Sequence, residues 1–133
     1  SIHKELGHVM WDNVGMARTE ESLKEALVRI KEIKKEFWSN VYIPGSSSDF
    51  NVELEKALRL ADFIEVGYLM ALDGLNRNES CGGHFREGEA LRQDDKYSYA
   101  ACWLYKGEDQ DPELIKEDLK YEFTIRAQRN YKS

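Results

Sequence analysis

Two stretches of this chain carry an apolar stripe that returns every three to four residues over more than four helical turns. No other feature narrows its possible folds as much. From Glu20 to Trp38, Leu23, Ala26, Leu27, Ile30, Ile33 and Phe37 fall on one side. Lys24, Glu25, Lys31, Glu32, Lys35 and Glu36 hold the other, the two-faced pattern of a bundle helix. From Asn51 to Arg77 a second stripe runs through Leu54, Ala57, Leu58, Ala61, Ile64, Tyr68, Ala71, Leu72 and Leu75. At 1.5 Å per residue this helix would be roughly 40 Å long. Leu60, Phe63 and Met70 widen its apolar surface beyond one stripe.

A shorter helical pattern precedes them from about Ile2 to Met16, with Leu6, Val9, Met10 and Val14 on one side. Gly15 ends or kinks it. Thr19 has the chemistry of an N-cap, and Glu20 and Glu21 suit the positive end of a helix dipole. Residues 43–50, with Pro44, Gly45 and three serines, form a loop by composition. Short connections between successive helices favour antiparallel neighbours. The expected fold is mainly α: an antiparallel three-helix bundle resembling a spectrin repeat over residues 1–80, then an extended tail over 81–133. In the tail, Tyr97, Tyr99, Ala101 and Trp103 alternate as a strand. Leu119, Tyr121, Phe123 and Ile125 alternate as a second, across the acidic turn Gly107–Pro112.

The 133 residues fit one domain or a domain with a tail. A net charge of −6 argues against a nucleic-acid partner, which needs a basic face for phosphates. It gives no reason for attraction to anionic lipid. No apolar run approaches the ~20 residues that span a bilayer. No signal peptide is evident, and a start at Ser1 inside a helical pattern suggests a piece of a longer chain. Two cysteines in a charge-rich helical chain fit free thiols in a reducing compartment.

Chemistry-bearing residues are few. His3 and His8 are five apart, so about 500° of helical rotation leaves them roughly 140° apart, unsuited to one metal. Cys81, His84 and Cys102 offer zinc-type atoms but only half a ligand signature. Gly82-Gly83 lacks the Lys-Ser/Thr of a phosphate loop, and no Gly-x-Gly-x-x-Gly occurs. The acidic clusters read as solvated faces. No catalytic, cofactor-binding or metal residue is therefore assigned. The paired glycines remain the one break built for geometry, followed at once by His84 and Arg86. They are either a helix C-cap or a place where another surface comes close.

The run Arg77-Asn78-Glu79-Ser80-Cys81-Gly82-Gly83-His84-Phe85-Arg86 resembles an Arg-x-Glu-Ser-x-Gly-x-His-x-Arg element. That element belongs to the carboxy-terminal domain of the succinate dehydrogenase/fumarate reductase flavoprotein subunit. The likeness extends to Met10 through Glu21, Ser22 through Leu27, and Asn51 through Leu58. It continues through Gly88-Glu89-Ala90-Leu91-Arg92, Asp94-Asp95 and the ending Gln128-Arg129-Asn130-Tyr131-Lys132. Cys81 stands where many members carry Arg, a version most similar to the Bacteroides-type branch with a cytochrome b anchor. L-aspartate oxidase is similar in the same region. A free-standing helical adaptor is the alternative from another class.

The resemblance implies a non-catalytic helical domain packed against a missing amino-terminal flavin domain. Gly82, Gly83, His84, Arg86 and Arg92 would be domain-contact residues. It implies FAD in the parent subunit but none here. The parent would interconvert succinate and fumarate, and an iron–sulfur subunit and a cytochrome b membrane anchor would pass electrons to or from quinone. The complex would lie on the cytoplasmic face of the inner membrane. Severed from the flavin domain, the fragment is expected to self-associate through its uncovered apolar faces.

Overall fold

A computed structural model describes residues 1–46, 49–88 and 92–127. The matches at 89–91 and 128–132 lie outside the described residues. The chain divides into two compact units, Ser1–Leu91 and Arg92–Ser133.

The first unit holds three helices: α1 (Ile2–Val14), α2 (Glu20–Asn40) and α3 (Val52–Asn76). The second and third begin where the sequence supplies a side-chain cap. At α2, Thr19 Oγ1 accepts from the Ser22 amide at 2.9 Å. Ser22 Oγ accepts in return from the Thr19 amide at 3.0 Å, closing a reciprocal capping box. At α3, Asn51 Oδ1 accepts from the Glu53 and Leu54 amides, each at 3.1 Å.

Cross-helix contacts fix the helix directions. Asn13 Nδ2 reaches Glu25 at 3.2 Å, and Glu5, further back on α1, pairs with Arg29, further on in α2. Lys34 of α2 pairs with Glu65 of α3 at 2.5 Å, and Lys31 lies over the ring of Tyr68. Each pair runs backwards in sequence, so α2 is antiparallel to both neighbours, as the short connections predict.

Leu6, Val14, Leu23, Ala26, Ile30, Ile33, Phe37, Ile64 and Ala71 form the core. Leu58, expected in the stripe of α3, is exposed. The buried face of α3 is Ile64, Gly67, Ala71 and Gly74 instead. The small residues let α1 and its continuation come close. A Cβ on Gly67 would stand 3.0 Å from the Met10 sulfur, and one on Gly74 would stand 3.3 Å from Arg18 Nη1. Leu60 packs partly against the core, whereas Phe63, Val66 and Met70 point outward.

The second unit contains a one-turn helix α4 (Asp94–Tyr97) and an antiparallel hairpin of β1 (Tyr99–Leu104) and β2 (Glu113–Asp118). Its register pairs Tyr99 with Asp118, Cys102 with Ile115 and Leu104 with Glu113. The first strand thus starts two residues later than expected, and the second lies upstream of the alternating 119–125 run. That run is not a strand; Phe123 and Ile125 are 94% and 96% exposed. The pairing of Leu104 with Glu113 closes the hairpin directly around the 105–112 loop. Tyr97 and Tyr99 are buried, their rings 6.2 Å apart, with Lys116 over the Tyr99 ring. No helix among the described residues is long and apolar enough to cross a membrane.

Candidate functional site at the 77–87 turn

The residues after α3 fold back on the bundle. The Cys81 amide donates to the His84 carbonyl at 2.8 Å, and the His84 amide donates to the Cys81 carbonyl at 3.0 Å. Gly82 has φ +58° and Gly83 does not share its positive φ, which together give a type II′ turn. Gly82 therefore answers a backbone requirement. Gly83 does not, and a Cβ on it would meet nothing within 4 Å.

The returning strand is tied to the α1–α2 connection. The Arg18 amide donates to the Phe85 carbonyl at 3.3 Å, and the Glu87 amide donates to the Arg18 carbonyl at 2.7 Å. Ser80 Oγ joins the two arms of the turn, accepting from the Arg86 amide at 3.1 Å and lying 3.2 Å from the Arg86 carbonyl. The turn thus belongs with the bundle rather than with the tail, moving the expected boundary at residue 80 downstream.

Two guanidinium groups finish two helices. Arg86 Nη2 donates to the carbonyls of Gly74 at 2.8 Å and Leu75 at 3.2 Å, inside the last turn of α3. Arg18 Nε donates to the carbonyls of Val14 at 2.9 Å and Gly15 at 3.0 Å at the end of α1. Neither helix has a basic residue in its own last turn. A cation placed on the exposed carbonyls answers both the unmade hydrogen bonds and the negative end of the dipole. Arg86 is only 6% exposed. It was expected at a domain contact, and it is turned into its own bundle.

Glu79 is 2% exposed and meets Arg77 Nη1 at 2.8 Å. A buried carboxylate needs such a partner. His84 lies between these charges, with Nδ1 3.4 Å from Arg18 Nη1 and Nε2 3.9 Å from Asp73 Oδ2. Burial, reinforced by the Arg18 and Arg77 cations, pushes its pKa below the usual histidine range, against the opposing pull of Asp73 and Glu79. Burial and the neighbouring Arg86 lower the pKa of Arg18 as well.

Gly82, Gly83, His84 and Arg86 are thus brought together, and Arg92 is not with them. It begins the second unit, where its Nε meets Asp94 Oδ1 at 2.5 Å. Cys81 and His84 face each other across the turn, while Cys102 is in β1 of the other unit. Among the described residues no group of three or more histidine, cysteine or acidic side chains is placed to hold a metal. Spacing alone did not single out Arg18. The signal was available as an arginine three residues beyond Gly15, after a helix lacking a basic final turn.

The family described as fumarate reductase flavoprotein C-term matches residues 3–131. The fumarate reductase flavoprotein subunit of Proteus vulgaris is 30% identical over 131 residues, covering 98% of this chain and 22% of that subunit. The succinate dehydrogenase flavoprotein subunit of Bacillus subtilis is 24% identical over 130 residues, with the same two coverages. A solved structure of Escherichia coli quinol fumarate reductase, its FrdA chain carrying a point mutation, superposes with a TM-score of 0.85 at 27% identity. That match covers 96% of this chain and 22% of the other. The chain thus spans about a fifth of the length of these relatives. With its three-helix bundle, hairpin and folded-back Arg-Glu-Ser turn, it belongs to the family of C-terminal domains of fumarate reductase and succinate dehydrogenase flavoprotein subunits.

Proposed function

We propose that this chain serves as the helical C-terminal domain of an FAD-dependent subunit that interconverts succinate and fumarate. The observation that carries this reading is the family match over residues 3–131, unbroken in order, to about one fifth of the subunits concerned. FAD and the reacting dicarboxylate belong to the other four fifths. An iron–sulfur subunit and a cytochrome b anchor carry electrons to or from quinone, with the assembly on the cytoplasmic face of the inner membrane.

This domain's part is structural, and the tip of the 81–84 turn is its docking point. Gly83 supports this reading. Neither its backbone angle nor any neighbour within the described chain demands glycine. A missing side chain there suits the close approach of another surface. Gly82, Gly83 and the exposed edge of His84 form the contact, and Arg86 braces it from within; Arg92, in the second unit, is a separate domain contact.

The test is to express the complete reading frame and measure bound flavin and succinate–fumarate turnover. FAD binding and turnover are expected. Gly83→Leu should lower turnover while leaving the helical circular dichroism of this domain unchanged. A reading frame without a dinucleotide-binding glycine motif, or full activity in Gly83→Leu, would overturn the proposal in its general or its local part respectively.

A further inference from the structure

The imidazole of His84 reaches both Arg18, the cap of α1, and Asp73 in the last turn of α3. A guanidinium has only donors, so His84 Nδ1, 3.4 Å from Arg18 Nη1, must be the acceptor. That fixes the neutral ring with its proton on Nε2, the nitrogen facing the Asp73 carboxylate 3.9 Å away. A second proton could enter only at Nδ1. There it would replace an acceptor with an N–H aimed at an N–H, and set an imidazolium beside a guanidinium.

The surroundings relieve this only in part. From the α1–α2 connection the ring faces Arg18. From α3 and its cap it faces Asp73 and Arg77, and from the following segment Glu79. Arg77 and Glu79 already meet at 2.8 Å, and Arg86 adds a further cation close to Arg18. The backbone ties between the turn and the bundle, Arg18 to Phe85 and Glu87 to Arg18, stand at the same residue that His84 contacts.

We propose that Arg18, His84 and Asp73 form a proton-sensitive latch that holds the 81–87 turn on the bundle while the imidazole is neutral, and releases it when His84 is protonated. The inference concerns this chain alone and does not depend on what the turn docks against. Its direction agrees with the lowered pKa of His84. The folded form resists protonation, so the latch is fully closed above the ordinary histidine pKa of ~6.5 and is lost as pH falls through the lower folded value.

Two amides report the latch directly: Arg18, which donates to Phe85, and Glu87, which donates to Arg18. Hydrogen exchange of the 133-residue chain, corrected for intrinsic rates, should show their protection falling with acidification. The fall should be roughly tenfold for each unit separating the His84 pKa in the closed and open states. The core amides of Ile30 and Ile33 should keep theirs over the same range. Nitrogen chemical shifts should show the His84 ring as the Nε2–H tautomer above the transition. In His84→Gln, whose amide oxygen can accept from Arg18 without titrating, the acid loss at Arg18 and Glu87 should vanish. An Nδ1–H tautomer at neutral pH would overturn the proposal. So would protection at Arg18 and Glu87 that is flat with pH, or that falls equally in His84→Gln.

Discussion

Arg86 donates from Nη2 to the carbonyl of Gly74 across 2.8 Å, closing the end of a helix that finished ten residues earlier in the chain. The same nitrogen also reaches Leu75. Removing it leaves carbonyls in a buried site with no donor, the costly side of hydrogen-bond bookkeeping. Arg86→Met should therefore lose about 2–4 kcal/mol of stability in urea titrations. Arg86→Lys should recover part of it, since one ammonium cannot reproduce the reach of the planar fork.

The glycines of the 81–84 turn should separate in their response. Gly82 has φ +58° and Gly83 lacks a positive φ. Gly82→Ala should cost about 1–2 kcal/mol, the price of a left-handed conformation for an L-residue. Gly83→Ala should stay within about 0.5 kcal/mol, because its Cβ enters open space. Thermal melts of the two variants would compare them, and equal losses would contradict the turn assignment.

Glycine within the helices follows the same logic with opposite signs. Gly7 is exposed in α1 and a Cβ there meets nothing within 4 Å, so Gly7→Ala should stabilise by about 0.5–1 kcal/mol. Gly74→Ala gains the same helix propensity. It also pushes on Arg18 Nη1 at 3.3 Å and Leu23 Cδ2 at 3.4 Å, and so disturbs the cap of α1. It should show a net loss of about 1–2 kcal/mol. A gain in chemical denaturation would show that α1 can move aside freely.

Phe63, Val66 and Met70 recur at helical spacing on the outer face of α3, all exposed. A row of apolar side chains of this kind marks an interaction surface. The chain alone should associate weakly with itself at high concentration, seen as a mass that rises with concentration in light scattering. Phe63→Lys with Met70→Lys should restore a constant mass. A constant monomer mass in the unsubstituted chain would show that the face needs no cover.

The helices were legible because burial and the 3.6-residue period act together on Leu23, Ile30 and Ile33, all almost completely buried. The inner face of α3 was not, because closeness there is achieved with Gly67 and Gly74, which carry no hydropathy signal. Leu58 lies about 120° around the helix from Ile64, and its neighbour Ala57 takes the inward position instead. The second strand was misplaced because β2, Glu113–Asp118, carries charge on both faces and so shows no alternation. Its pairing is set by the length of the preceding loop. The 119–125 run alternates cleanly yet meets no partner strand. At the turn, the order of residues pointed to the site. Their division of labour, with Gly82 for the backbone angle, Arg86 inward and His84 between charges, depends on contacts with Arg18 more than sixty residues away.

Those two arginine caps also impose an order on folding. The Gly74 and Leu75 carbonyls at the end of α3 receive a donor from Arg86, and the strand that joins Arg18 ends at Glu87. During synthesis, all three helices and the Arg18 cap of α1 can have left the ribosome while α3 still lacks Arg86 at its end. The bundle acquires its full cooperativity only when some ten further residues emerge. A chain stopped at Ser80 would hold every helix and nearly all of the apolar core, yet should open and close faster than one stopped at Gly88.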